Sequence, residues 1–144
     1  MFSTEWAGQQ TAGTLAPPPS TRYLSVIGFD GTAHALRALD AAVTHLHGRE
    51  GSIELVYIAD PPANTRHVSD EVRNHLLNLE PRWHFQRRDG DSVPDELIAA
   101  ADELHQEHEA HIEIDIVIGS SADHGHRIAL ALIQRHRYPV LVVP

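Results

Sequence analysis

The sequence predicts a single α/β domain, a three-layer sandwich with one five-stranded parallel sheet between two layers of helices. Two observations lead to this prediction. Strand-like and helix-like segments alternate from Arg22 to Pro144, and most strand-like segments are continuous apolar runs, as in parallel strands buried on both faces. Strands joined through helices then require right-handed crossovers. The 144 residues suit one such domain, and residues 1–21, rich in Gly, Gln, Thr and Pro, are interpreted as a flexible N-terminal leader before the domain at 22–144.

The first half of the domain contains two strands, each followed by a helix. Both strands are apolar and partly β-branched, and each ends in a turn signal, Asp-Gly-Thr at 30–32 and Asp-Pro-Pro at 60–62. Apolar residues recur at intervals of three and four after the first turn, which predicts an amphipathic helix that stops near Gly48. The predicted strands are residues 23–29 and 52–59, and the predicted helices are 35–46 and 68–79.

The second half begins with a short strand candidate and a long helix, and ends with two apolar strands around a last helix. Ser92 and Asp95 form a capping box in its Asp form at the start of the long helix, where Pro94 is tolerated in the first turn. The predicted strands are residues 83–87, 112–118 and 138–144, and the predicted helices are 93–110 and 126–136.

Composition excludes several kinds of function. All eleven basic residues are Arg, so neither a Schiff-base lysine nor the lysine of a P-loop exists in this chain. Cysteine is absent, which excludes disulfides, thiol nucleophiles and Cys-ligated metals. The formal net charge of -9 argues against a nucleic-acid surface, and no apolar run approaches the ~18 residues of a membrane span. The N-terminus lacks the charged start and apolar core of a signal peptide, so we expect a cytoplasmic protein.

Four sequence features occur in an order and spacing that resemble one known family. Asp-Gly-Thr (30–32) ends the first strand, Val-Tyr-Ile-Ala-Asp-Pro-Pro (56–62) ends the second, and Gly-Asp (90–91) precedes the capped helix. Ile-Val-Ile-Gly-Ser-Ser (116–121) then leads through a short helix to Tyr-Pro-Val-Leu-Val-Val-Pro (138–144). From about Arg22 to Pro144 the chain resembles the universal stress protein family.

The resemblance implies a nucleotide-binding-like sheet topology of the adenine nucleotide alpha hydrolase-like kind. It also implies a homodimer formed through the last strand, Tyr138 to Val143, and a relation to a branch that binds ATP or AMP. In that branch a loop of the form G-x2-G-x9-G-[S/T] surrounds the phosphates with backbone amides and a hydroxyl, which requires no lysine. The predicted cofactor-binding residues are Asp30, Gly31, Ile58, Gly119, Ser120, Ser121 and Gly125, with Arg127 as the nearest possible charge.

The phosphate loop departs from the family pattern. Ala122 stands where the second Gly is required, and Gly125 follows three residues later. Counted from Gly119, the final Gly-Ser or Gly-Thr pair would fall on Leu132 and Ile133. Counted with Gly125 as the second Gly, it would fall on Arg135 and His136, so the pair is missing in both cases. Two explanations are open: the loop is deleted, or a segment is missing between Arg127 and Leu130.

Other constellations favour structural roles. Asp30-Gly31-Thr32 resembles part of the D-x-D-G-T motif of haloacid-dehalogenase-type phosphatases, but Gly28 replaces the nucleophilic Asp. Asp30 is therefore interpreted as a cap of the first helix that remains free to contact a ligand. His105, His108 and His111 recur every three residues and could share a metal, although a solvated helix end explains them better and no metal site is predicted.

We expect a binding and signalling role in a stress response and no enzymatic turnover. The first hypothesis is a nucleotide-responsive module that uses Asp30, Ile58 and the Gly119–Gly125 loop. The alternative is a nucleotide-free dimeric interaction protein with an eroded phosphate loop. Both hypotheses place a homodimer contact on the last strand, an apolar sheet edge that a partner strand would cover. Neither predicts a membrane or nucleic-acid partner.

Overall fold

A computed structural model of the chain describes residues 22–30, 32–58, 70, 72–74, 76, 83–108, 112–120 and 125–144. The strands are β1 (Arg22–Phe29), β2 (Gly51–Ile58), β3 (Trp83–Arg88), β4 (Ile112–Gly119) and β5 (Val140–Val143). The long helices of this part of the chain are α1 (Ala33–Leu46), α2 (Val93–His108) and α3 (Gly125–Arg135). No helix in these described segments is long and apolar enough to cross a membrane.

The five strands form one parallel sheet in the order β3-β2-β1-β4-β5. β1 is central, with Val26 beside Glu54 of β2 on one side and beside Ile116 of β4 on the other. The chain adds β2 and β3 on one side of β1, and β4 and β5 on the other. The order therefore changes direction between β1 and β4, which is the topological switch point of a doubly wound sheet. The predicted fold class is confirmed.

Each face of the sheet has its own hydrophobic core. On one face, α1 packs Leu39 against Ile27 and other buried strand residues. On the opposite face, α2 and α3 bury Leu97 and Leu132 against a set that includes Val26. Successive residues of a strand point to opposite faces, so the continuous apolar run of β1 supplies both cores. Each large aliphatic side chain that is fully buried stabilises the fold by roughly 1.5–3 kcal/mol.

The start of α1 corrects one sequence-based interpretation. Thr32, and not Asp30, is the N-cap of this helix, because the Thr32 side chain accepts a hydrogen bond from the Ala35 amide at 3.4 Å. The Asp30 carboxylate instead accepts from the amide of Thr32, at 3.0 Å, and from its hydroxyl. Asp30 thus holds the capping residue in place from two residues earlier in the chain.

Other elements agree with their predicted ranges to within a few residues. The last strand is shorter than predicted, because Pro139 has no N–H to donate to β4 and pairs with it only through its carbonyl oxygen. Of the helix predicted at 68–79, residues 70 and 72–74 are helical, Leu76 follows in a turn, and both Val72 and Leu76 are buried; the other positions lie outside the described residues. The leader predicted at 1–21 also lies outside them, so it stays a prediction.

Candidate functional site

A cleft opens at the carboxyl ends of β1, β2 and β4, where the topological switch point lies. Its water-accessible interior is about 80 Å³, which is smaller than the ~300–1,000 Å³ of typical small-molecule sites, so a ligand held here would extend out of the mouth of the cleft. Crossover helices begin where strands end, so the first turns of all three helices also reach this edge of the sheet. The lining residues are Gly28, Phe29, Asp30, His34, Ala35, Val56, Ile58, Val93, Ile118, Gly119 and Ile128.

The interior of the cleft is an apolar slot. Val56 and Ile118 line it from the sheet, while Val93 and Ile128 line it from α2 and α3. Gly28 keeps the slot open, because a Cβ at this position would lie only 3.2 Å from side-chain carbons of both Ile118 and Leu97. An apolar slot of this kind suits a flat, weakly polar group such as a nucleobase.

Asp30 supplies a carboxylate at the mouth of the cleft. Its Oδ1 is occupied by the amide of Thr32, at 3.0 Å, and by the Thr32 hydroxyl, so the side chain is held in place. Its Oδ2 lies 3.9 Å from Nε2 of His34, which is too long for a direct hydrogen bond. The Asp30 side chain is 58% exposed, and its Oδ2 is therefore placed to accept a hydrogen bond from a ligand hydroxyl.

Gly119 ends β4 directly beneath the first turn of α1. A Cβ at Gly119 would lie 2.1 Å from the backbone oxygen of His34, far inside contact distance. The absence of a side chain thus allows α1 to begin against the sheet, which brings His34 to the cleft. The structure gives this glycine a packing role that is independent of any phosphate.

The predicted phosphate-loop residues are only partly described. Among them, Ser120 donates its backbone N–H to the carbonyl oxygen of Val143 at 2.7 Å, so this amide is already paired. Gly125 is the first residue of α3, and Gly31 and Ser121 lie outside the described residues. Arg127 is exposed and does not line the cleft. α3 runs through Arg127 to Leu130 without interruption.

The structure thus brings Asp30, Ile58 and Gly119 together, as their positions at strand ends predict. Sequence reasoning missed His34 and Ile128, which lie in the first turns of helices. His34 follows Asp30 by four residues on a helix that starts at the strand end, and this spacing could have indicated it.

Among the described residues at the histidine-rich end of α2, no metal site is preformed. His108 Nδ1 lies 3.0 Å from the Leu104 backbone oxygen, so this ring is engaged with its own helix. His111 lies outside the described residues. Within the described part of the chain, no group of three or more His, Cys, Asp or Glu side chains is arranged to hold a metal ion.

A parallel sheet in the order β3-β2-β1-β4-β5, with a cleft at its switch point, defines a doubly wound α/β domain. No protein-family model and no curated protein matches the sequence. Among solved structures, the chain is similar to a universal stress protein family member from Burkholderia pseudomallei, with a TM-score of 0.68 and 22% identity over 88% of this chain and 99% of that chain.

Two further solved structures show the same fold. A universal stress protein from Archaeoglobus fulgidus matches with a TM-score of 0.62 and 16% identity, over 87% of this chain and 95% of that chain. A universal stress protein in complex with cAMP matches with a TM-score of 0.61 and 20% identity, over 85% of this chain and 96% of that chain. The chain therefore has the universal stress protein fold, which confirms at the level of fold the resemblance seen in the sequence.

Proposed function

We propose that the chain is a nucleotide-responsive signalling module of the universal stress protein type, whose cleft holds the adenosine part of an adenine nucleotide. The observation that carries this proposal is the cleft itself, an apolar slot with the anchored carboxylate of Asp30 at its mouth. The ligands proposed are ATP, AMP or cAMP. The role is binding in a stress response, without turnover of the nucleotide.

The slot and the carboxylate match the two halves of adenosine. The adenine ring would lie among the aliphatic side chains from β2, α2 and β4, where burial of its faces favours binding. The ribose hydroxyls would donate to the free Oδ2 of Asp30. A solved structure of the same fold is a complex with cAMP, which supports an adenine nucleotide as the ligand.

Most of the affinity should come from the nucleoside. Among the described residues, no Arg lines the cleft, and the Ser120 amide is paired with β5. The β- and γ-phosphates of ATP would therefore meet no Arg side chain there. This differs from a P-loop, in which contacts to the phosphates dominate nucleotide binding.

The first prediction concerns Asp30→Asn. Loss of the charged acceptor should weaken adenosine and ATP binding about tenfold or more, since a hydrogen bond to a charged group contributes ~1.5–3 kcal/mol. Isothermal titration calorimetry measures the change. Glu113→Gln is the matched control, because it removes an exposed carboxylate at the amino end of β4, away from the cleft, and should leave affinity unchanged. An absence of binding by the unmodified protein to adenosine, AMP, cAMP and ATP would sink the proposal.

A second candidate is a nucleotide-free dimeric interaction protein. The observation that favours it is the apolar edge of the sheet, where Leu141 and Val142 of β5 are 39% and 36% exposed. An exposed apolar edge strand attracts a partner strand, and the last strand of a second copy would fit it. This candidate predicts a dimer whose melting temperature does not respond to any adenine nucleotide.

A further inference from the structure

We propose that His34 is the phosphate-binding group of this cleft, and that it makes the affinity for a singly phosphorylated adenine nucleotide depend on pH. This inference rests on the proposed function and deepens it. It assigns a specificity-determining role to a residue that the phosphate-loop pattern does not include.

His34 lies close to Asp30 at the mouth of the cleft. His34 lies in the first turn of α1 and lines the same cleft as Asp30. Its Nε2 is 3.9 Å from Asp30 Oδ2, so the two side chains face each other at the mouth without a direct hydrogen bond. In a nucleotide whose ribose contacts the Asp30 carboxylate, the 5′-phosphate is only a few bonds from that ribose. This distance is similar to the separation of the Asp30 and His34 side chains, so the phosphate would lie beside His34.

The described lining of the cleft contains one side chain that can become a cation. His34 is the only side chain there that acquires positive charge, since the remaining members are Asp30, glycines and apolar residues. Arg127 is exposed outside the lining. In a chain without lysine, the imidazole is therefore the cation that this part of the cleft offers to a phosphate.

The surroundings of the His34 ring decide which charged groups a bound phosphate would meet. The charged group beside His34 in the cleft is Asp30. Arg37, one turn further along α1, donates its Nε to the Pro144 carbonyl at 3.1 Å. From the packed sheet and from α3, uncharged residues reach this region, namely Gly119 and Ile128. A phosphate would thus form an ion pair with His34 opposite the Asp30 carboxylate. This ion pair would form only when the His34 ring is protonated.

The chemistry sets the sign of the pH effect. Histidine changes charge between about pH 5 and 8, and an anionic ligand favours the protonated ring. By linkage, protonation of the ring must favour the anionic ligand by the same factor. Nucleotide affinity should therefore rise as pH falls, whereas the affinity for neutral adenosine should stay constant.

The test compares cAMP with adenosine by calorimetry at about pH 6 and about pH 8. cAMP is the suitable probe because its phosphodiester keeps a single negative charge across this range, so the ligand itself does not titrate. We expect cAMP to bind roughly three- to tenfold more tightly at the lower pH, and adenosine to bind equally at both. His34→Gln should abolish the cAMP difference and leave adenosine binding intact. His105→Gln, an exposed histidine near the end of α2, is the control and should retain the difference.

The outcomes separate the two proposals. If adenosine binds but cAMP shows no pH dependence, or if His34→Gln retains that dependence, the role of His34 is overturned while the adenosine site stands. In the second case another histidine carries the effect. If neither ligand binds at either pH, the proposed function fails, and the role of His34 fails with it.

Discussion

Gly119 shows how one residue positions the candidate site. The backbone of α1 approaches this glycine so closely that a methyl group would overlap the His34 carbonyl. The conformation of Gly119 is not the constraint, since Gly48 is the only glycine with a positive φ in the described part of the chain. What the position requires is space, and that space lets the first turn of α1 reach the cleft.

A substitution tests this directly. Gly119→Ala should lower the free energy of unfolding by about 1–3 kcal/mol, because rigid backbone has to move to admit the methyl group. It should also weaken adenosine binding by displacing Asp30 and His34. Urea denaturation measures the first effect, and calorimetry measures the second.

Gly48→Asn is the matched control for that experiment. Gly48 has a φ of 78° and open space around it, and Asn adopts this left-handed region readily. The control should therefore cost less than Gly119→Ala and leave binding unchanged. Equal stability of Gly119→Ala and the unmodified protein would contradict the packing role.

At this scale the sequence predicts the strand-end residues of the site and misses those on helices. Asp30, Ile58 and Gly119 each end an apolar strand, and parallel strands meet at one edge, so their proximity follows from local pattern. The orientation of His34 and Ile128 depends on how α1 and α3 rotate against the sheet. That rotation is set by tertiary packing, including the close approach at Gly119, and no local pattern specifies it.

At the scale of elements, α2 and α3 are joined by a pair of charged side chains. Arg135 near the end of α3 donates from Nε at 3.1 Å and from Nη2 at 2.5 Å to the Asp95 carboxylate in the first turn of α2. Ser92 caps the same turn, with its hydroxyl 3.4 Å from the Asp95 amide, as the capping pattern predicts. The guanidinium of Arg135, followed by Ser92, holds the pKa of Asp95 below its usual value.

The lowered pKa gives a pH-dependent prediction. A carboxyl group whose pKa is lower in the folded state stabilises the fold above its unfolded pKa of ~3.9, and this stabilisation is lost as pH falls through the folded value. In a double-mutant cycle of Asp95→Asn and Arg135→Gln, coupling should be measurable at about pH 7 and vanish at low pH. Added salt should reduce it, since both side chains are exposed. Coupling that persists unchanged in acid would contradict a charged pair.

The elements themselves were largely predictable, and the reasons are local. Continuous apolar runs indicate the buried parallel strands, and intervals of three and four indicate the helices. The errors fall where side chains decide between alternatives. Thr32 and not Asp30 caps α1, and Pro139, which has no N–H, shortens the last strand.

At the scale of the whole molecule, β5 is one of the two edge strands of the described sheet, and part of its backbone is unpaired. Carbonyl oxygens of Pro139 and Val143 bond to the β4 side, accepting from Ile116 at 2.9 Å and from Ser120 at 2.7 Å. Alternate residues of a strand direct their backbone groups to opposite sides. The amides of Val140 and Val142 therefore point to the open edge, where a second copy would pair.

This geometry allows a selective test of the proposed homodimer. Val142→Pro removes an N–H from the open edge and should convert a dimer to a monomer, while its pairing with β4 remains. Val142→Thr keeps both the amide and the branched side chain, and should remain dimeric. Sedimentation velocity distinguishes the two states, and a Val142→Pro variant that is still dimeric would exclude pairing through this edge.

The close approach at Gly119 also affects how related chains should be sorted. A glycine at the end of β4 is required wherever the first helix starts this near the sheet, whether or not any phosphate is bound. Its presence therefore marks a shared architecture, and its retention says little about the ligand. Chains of this fold that lack the rest of the phosphate loop are better grouped by the residues that line the mouth of the cleft. The first position to compare is that of His34, four residues after the aspartate that follows β1.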